Sequence, residues 1–159
     1  ALLGGFMSVK VLGLFEGAMT EHGKLFFFTP LIAAMAGNVG VQSSAIIVQG
    51  LANNTLSGSL FNRLIKEVAL SLLNGVILAT ILFIGSHYLL NVEIIIGVIV
   101  TVALISVIII ASLIGTFIPL LLDKFGIDPA LATGPFITTS NDIMGILIYF
   151  SLAKLILGF

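Results

Sequence analysis

Long uninterrupted apolar runs dominate this sequence and limit the folds open to it. Hydrophobic residues make up 59% of the chain and charged residues 8%, whereas soluble domains carry about a quarter charged residues. A chain so poor in charge cannot cover itself with a water-facing surface, so most of its outside must face lipid. Only hydrogen-bonded helices and closed barrels are stable there, and barrel strands alternate apolar and polar residues. The continuous runs therefore predict an all-α membrane protein.

Five transmembrane helices per chain are predicted when about 20 apolar residues are counted for each crossing. The spans are predicted at about 1–19, 25–51, 60–90, 92–122 and 129–159. The fourth is the most uniformly apolar and suits lipid contact or packing. At the start of the last span, Asp128 and Pro129 have the pattern of an N-cap followed by a first-turn proline. Pro135 should then break or kink the helix.

Charge and cysteine content exclude several classes of function. The formal net charge is −1, which gives no basic field for nucleic acid. The chain has no cysteine, so disulfides, thiolate metal sites and thiol nucleophiles are excluded. The sequence contains no catalytic triad, phosphate loop or metal-hydrolase motif, and we therefore do not expect an enzyme.

Asp142 is the ionisable residue that a membrane setting makes most costly. It follows Pro135 by seven residues, or about 10 Å along a helix, and a charge at the bilayer centre costs at least about 2.5 kcal/mol. Small and polar residues share its face at spacings of three or four: Gly134, Thr138, Asn141, Gly145 and Tyr149. The pattern favours a water-lined ion path. A hydrogen-bonded aspartate that joins two helices is the alternative.

A second stripe of small and polar residues lies in the second span. Asn38, Gln42 and Gln49 recur there at helical spacing, with alanines completing the stripe. Gly37 and Gly40 beside them allow close approach of a neighbouring backbone. Packing of small residues, with amides as interhelical hydrogen-bonding groups, is the alternative to a lined conduit. Two striped helices in one small bundle favour the conduit.

Glu67 is the acid near the start of the third span. It clusters with Arg63 and Lys66 in the first two turns of that span. This position near a helix end favours an interfacial, structural salt bridge over a role as an ion ligand.

The available ligand atoms point to a hard cation. Soft and borderline metals need Cys, Met or His, and His22 and His87 stand near span ends rather than beside Asp142. Oxygen ligands remain, and one or two carboxylates suit Mg²⁺, which keeps much of its own water. Since one acid per chain is little for a divalent ion, two copies of Asp142 on a twofold axis would balance one Mg²⁺. We therefore expect a homodimer with the ion path at or near its interface.

Two segments resemble the MgtE family of magnesium channels. Residues 30–52, with Gly-Asn-x-Gly-x-Gln starting at Gly37, resemble its second transmembrane helix. Residues 128–149 are similar to its fifth, with Asp-Pro-Ala, Gly-Pro-Phe, a Thr-Thr pair and the aspartate. The resemblance implies a homodimer whose pore runs along both copies of these two helices.

The resemblance also implies roles for particular residues. Asp142 would face a largely hydrated Mg²⁺, the backbone carbonyl of Thr138 would assist, and Asn38 would line the path. With the two stripes, the expected metal-site residues are Asp142 and Thr138. The expected pore-lining residues are Asn38, Gln42, Gly134, Asn141 and Gly145.

The expectation for the whole chain is a single transmembrane pore domain over residues 1–159. Bacterial members of the family carry a cytosolic N-terminal domain and paired CBS domains, which we expect to be absent from this chain. The expected function is a Mg²⁺ or broadly divalent cation channel or transporter in the cell (inner) membrane, with Mg²⁺ as transported ion and pore ligand. Its expected partners are a second copy, membrane lipids and divalent cations, with no nucleic acid. A proton-coupled divalent cation carrier and a non-conducting helical assembly subunit are the alternatives.

Overall fold

All regular structure in the described part of the chain is helical. The computed structural model describes residues 2–56 and 58–158. The elements within these ranges are α1 (Leu2–Gly13), α2 (Glu16–Glu21), a 3₁₀ helix (Gly23–Phe28), α3 (Thr29–Ala52), α4 (Leu60–Tyr88), α5 (Ile94–Lys124), a second 3₁₀ helix (Pro129–Ala132) and α6 (Pro135–Leu157). The predicted all-α class is therefore confirmed.

Four of the five predicted spans correspond to helices long and apolar enough to cross a membrane. Within the described residues these are Gly23–Ala52, Leu60–Tyr88, Ile94–Lys124 and Pro135–Leu157. The first predicted span, residues 1–19, is not one helix, because α1 ends at Gly13 and α2 begins at Glu16. At about 1.5 Å per residue α1 is about 18 Å long, which is short of a hydrocarbon core about 30 Å thick.

After the end of α1, the side chain of Phe15 is buried in the core. Gly4 of α1 lies against the side chain of Thr139 on α6. Further along, the ring of Phe15 stacks on that of Phe150, with 5.3 Å between centroids. Since both contacts advance in the same direction along the two segments, α1 runs parallel to α6. Burial of Phe15, which a continuous apolar pattern does not predict, accompanies the end of α1.

α5 is the centre of the bundle and packs against α3, α4 and α6. Half of its most apolar stretch is buried, against 17% of the corresponding stretch of α4. Of the two roles predicted for the fourth span, packing is the one observed. α4 is peripheral, and its buried residues are mostly small: Ser71, Gly75, Ala79 and Ser86.

α3 and α5 approach each other so closely that only glycine fits at the crossing. A Cβ built on Gly115 of α5 would lie 2.3 Å from the carbonyl oxygen of Gly40 on α3. Small residues at helix contacts are the usual means by which membrane helices pack backbone against backbone. The close approach expected around Gly40 is therefore present, with α5 as the neighbour.

The last predicted span, residues 129–159, divides into two helices. The Asp128 side chain accepts a hydrogen bond from the backbone N–H of Ala130 at 2.9 Å and caps the short 3₁₀ helix. Gly134, at φ +69°, then redirects the chain, and α6 begins at Pro135. The predicted cap and the predicted break are both observed, and the continuous helix starts six residues later than the predicted span.

Candidate ion-binding site

A cavity of about 760 Å³ opens between α1, α3 and α6. Its lining residues are Gly4, Gly5, Ser8, Asn38, Val41, Gln42, Gly134, Pro135, Thr138, Thr139 and Asp142. Five of the seven residues that the sequence predicts for the site are among them. The fold therefore brings the polar stripe of α3 and the aspartate of α6 to one place, although they lie far apart in the sequence.

The Asp142 side chain on α6 lies against the backbone of α3 at Gly37. A Cβ built on Gly37 would lie 2.9 Å from Asp142 Oδ1 and 3.1 Å from Thr138 Cγ2. The carboxylate thus occupies space that exists because residue 37 is glycine. Asn38 and Gln42, one turn apart on the exposed face of α3, present their amides to the same cavity.

The hydroxyl of Thr138 makes a hydrogen bond to the backbone at the start of its own helix. Thr138 Oγ1 donates to the carbonyl oxygen of Gly134 at 3.1 Å, and the backbone N–H of Thr138 donates to the same oxygen at 3.0 Å. The backbone carbonyl of Thr138 lies one turn before Asp142, where a regular helix directs it to the Asp142 N–H. A carbonyl oxygen has two lone pairs, so one remains for another donor or for a cation.

Asn141 and Gly145 lie in helix contacts and not in the cavity, contrary to the predicted single stripe. Asn141 is fully buried, and its Nδ2 lies 1.7 Å from where a Cβ on Gly40 would be. Gly145 packs against α3 and α5. Further along, the buried hydroxyl of Tyr149 donates to the carbonyl oxygen of Leu25 at 2.8 Å. Because α3 and α5 both pack against α6, one broad stripe is divided between a packed face and an open face.

α1 supplies a wall of the cavity that the sequence analysis did not predict. Gly4, Gly5 and Ser8 lie there, opposite the polar residues of α3 and α6. The available signal was the spacing of four between Gly4 and Ser8, which places two small residues on one helical face. Two glycines and one serine in an apolar segment are a weak signal without the contact to Thr139.

The chemistry of the cavity suits a hydrated hard cation. Among the lining residues Asp142 is the only carboxylate, and within residues 2–56 and 58–158 no three His, Asp or Glu side chains converge to hold a metal. A dehydrated divalent ion needs more protein oxygens than this, whereas Mg²⁺ keeps several of its waters. Amides, hydroxyls and one carboxylate can hydrogen-bond such waters.

The fold defines a multi-pass α-helical membrane protein, and its cavity has the ligand atoms of a cation site. The profile of the MgtE family, described as a divalent cation transporter, matches residues 29–152. The chain belongs to this family.

Three curated relatives carry the name magnesium transporter MgtE. The protein of Bacillus subtilis is 36% identical over 150 residues, which are 94% of this chain and 33% of the relative. Those of Enterococcus faecalis and Thermus thermophilus are 36% and 34% identical over 157 residues, 98% of this chain and 34% of each relative. The chain thus spans about a third of the length of these relatives. Their names describe transporters and not enzymes, in agreement with the expectation from the sequence.

Proposed function

We propose that this chain forms the ion-conducting part of a magnesium, or broadly divalent, cation channel or transporter. The observation that carries the proposal is the opening of Asp142 into the same cavity as Asn38 and Gln42. Membership of a divalent cation transporter family supports transport of such ions, and the names of the relatives favour Mg²⁺.

The ion passes as a hydrated complex. Six waters at about 30 Å³ each occupy about 180 Å³, so a cavity of about 760 Å³ has room for a complete hydration shell. Asp142 supplies the charge, and the amide oxygens of Asn38 and Gln42 accept hydrogen bonds from the waters. The Thr138 carbonyl is a further acceptor one turn along α6.

A second copy of the chain completes the path. Asn38 and Gln42 are exposed on the surface of one chain, and lipid cannot satisfy their hydrogen bonds. A twofold partner covers these amides and brings a second Asp142, so that two negative charges face one divalent cation. α1 and α2 together form an irregular fifth crossing, with α1 beside the cavity.

Uptake of Mg²⁺ into liposomes that contain the purified chain tests the site. Asp142→Asn keeps the size of the side chain and removes its charge, and we expect it to lower the initial rate at least about tenfold, or 1.4 kcal/mol. Asp123→Asn is the matched control, because Asp123 is exposed near the end of α5 and lines no part of the cavity. Wild-type uptake by Asp142→Asn, with the dimer intact, would overturn the assignment.

The same preparation separates the proposal from its alternatives. Uptake through a channel follows the Mg²⁺ gradient and is indifferent to an imposed pH gradient. A proton-coupled carrier, in which Asp142 alternately binds H⁺ and the metal, responds to the pH gradient. A wild-type chain that passes no divalent cation at all would instead support a helical assembly subunit.

A further inference from the structure

A second carboxylate is hydrogen-bonded between three helices, away from the cavity. Glu67 Oε1 of α4 accepts a hydrogen bond from Ser43 Oγ of α3 at 2.8 Å and another from Ser112 Oγ of α5. The two serine oxygens lie 3.3 Å apart. Ser43 and Ser112 are 7% and 1% exposed, so their hydroxyls depend on protein partners. Sequence reasoning assigned Glu67 to a salt bridge and did not predict these bonds.

Beyond the close crossing at Gly40, the packed face of α3 has few large side chains to define the rotation of the helix about its own axis. Ile32 and Ile47 are the only large apolar residues among the buried residues of this helix. A face of small residues has shallow ridges and grooves, so packing alone distinguishes rotations of the helix weakly. Directional hydrogen bonds then carry more of the specificity. Ser43 provides such a bond, and its partner belongs to a helix that packs along α5.

The direction of Ser43 determines where the cavity-lining side chains of α3 point. Gln42 immediately precedes Ser43, and successive helical residues are about 100° apart around the axis. Asn38 lies one turn before Gln42 on the same exposed face. When Ser43 is held towards α4 and α5, both amides are therefore turned to the cavity that contains Asp142.

We infer that Glu67 is a positioning residue for transport, which acts through Ser43 to hold α3 in the rotation that presents Asn38 and Gln42 to the ion. The inference rests on the proposed function. Glu67 touches no part of the cavity around Asp142. Its role requires a hydrogen-bond acceptor at Oε1 and not a negative charge, because both of its observed partners are neutral hydroxyl donors.

Because the role requires a hydrogen-bond acceptor, two substitutions of Glu67 should have different effects on uptake. Glu67→Gln keeps an oxygen that accepts from both serines, whereas Glu67→Ala removes it. We expect Glu67→Ala to raise the half-saturating Mg²⁺ concentration for uptake about tenfold, with a smaller change in the maximal rate, and Glu67→Gln to stay within about twofold of wild type. Lys66→Ala is the matched control, since Lys66 is exposed on the same turn of α4. Wild-type uptake by Glu67→Ala, or equal damage by both Glu67 variants, overturns the inference.

A second measurement reports the rotation of α3 without any transport. The chain has no cysteine, so a single Gln42→Cys substitution introduces the only thiol. A charged, water-soluble thiol reagent should label it rapidly in the wild-type background and several-fold more slowly beside Glu67→Ala. A thiol at Ile47→Cys, on the buried face, should instead be labelled faster beside Glu67→Ala than in the wild-type background. Unchanged labelling at both positions overturns the inference, and the result stands even if the chain passes no Mg²⁺.

Milder variants keep the inference testable if Glu67→Ala does not fold. Ser43→Ala removes only the link to α3, whereas Ser112→Ala leaves that link in place. Labelling of Gln42→Cys should therefore change more beside Ser43→Ala than beside Ser112→Ala. Equal changes, or the reverse order, contradict a positioning role through Ser43.

Discussion

The two faces of α3 meet opposite surroundings. On one face, Asn38 and Gln42 are exposed to a cavity of about 760 Å³ that also contains Asp142. On the other, Gly40 lies against the backbone of α5, and Ser43 hydrogen-bonds the carboxylate of Glu67. Both faces involve a carboxylate, but only the one on the packed face is held by two hydroxyls.

The difference distinguishes two roles that a carboxylate can have inside a membrane. A carboxylate with fixed donors on neighbouring helices is satisfied by the protein and specifies how those helices pack. A carboxylate that opens into a roomy polar cavity can exchange water for a passing cation. Changes on the packed face should therefore reduce stability and affect transport only through the rotation of α3, whereas changes on the cavity face should reduce transport directly.

Gly115→Ala should have the largest effect, because it forces the packed face apart. The new Cβ would lie 2.3 Å from the carbonyl oxygen of Gly40, so α3 and α5 must separate. Overpacking of this kind costs about 3 kcal/mol, and denaturation of the purified protein in detergent measures the loss. Gly75→Ala is the control, since its Cβ would meet Ile105 at an ordinary 3.5 Å. Equal stabilities of the two variants would contradict the close crossing.

Gly37→Ala should affect transport more than stability. Its Cβ would lie 2.9 Å from Asp142 Oδ1, and the carboxylate must move away from its present position. We expect Mg²⁺ uptake to fall about tenfold, or 1.4 kcal/mol, with the free energy of unfolding changed by less than about 1 kcal/mol. Gly5→Ala serves as the control at the same cavity, because no atom lies within 4 Å of its Cβ position. If Gly37→Ala instead reduced folding and left uptake unchanged, Gly37 would belong to the packed face of α3.

The comparison also shows which parts of the site the sequence could predict. The position of Asp142 after Pro135 follows from local rules, since a proline begins a helix and seven residues advance about 10 Å. The sequence did not distinguish Asn141 and Gly145 from the residues that line the cavity, because which face of α6 is open depends on where α3 and α5 pack. That information is absent from the sequence of α6.

The same limit applies to the fold. Apolar runs were sufficient to predict the four long helices, because hydropathy and length decide whether a segment can span a membrane. They were not sufficient for residues 1–19, where the stacking of Phe15 on Phe150 accompanies the break. The charged neighbours of Glu67 suggested an ion pair, and its hydroxyl partners come from α3 and α5.

Ser112→Ala should cause a smaller loss of stability than Gly115→Ala. It removes one of the two hydroxyl donors to Glu67 and leaves the bond from Ser43. Interhelical hydrogen bonds in membranes contribute about 1 kcal/mol, so we expect a loss of about that size in detergent unfolding. Ser106→Ala is the control on the same helix, because Ser106 Oγ donates to the Val102 carbonyl oxygen of α5 itself. A loss at Ser106 as large as that at Ser112 would argue against the interhelical bond as the cause.

Gln42→Ala should have the smallest effect, and it tests the cavity face where a single contact matters least. Gln42 is exposed, so its truncation should change the free energy of unfolding by less than about 0.5 kcal/mol. A hydrated ion can replace one amide contact with water, and we expect uptake to fall only about twofold. Gln49→Ala, on the same stripe but outside the cavity, should leave uptake unchanged. If Gln42→Ala instead destabilised the protein as much as Ser112→Ala, both faces of α3 would contribute equally to stability, and the distinction between a packed face and a cavity face would fail.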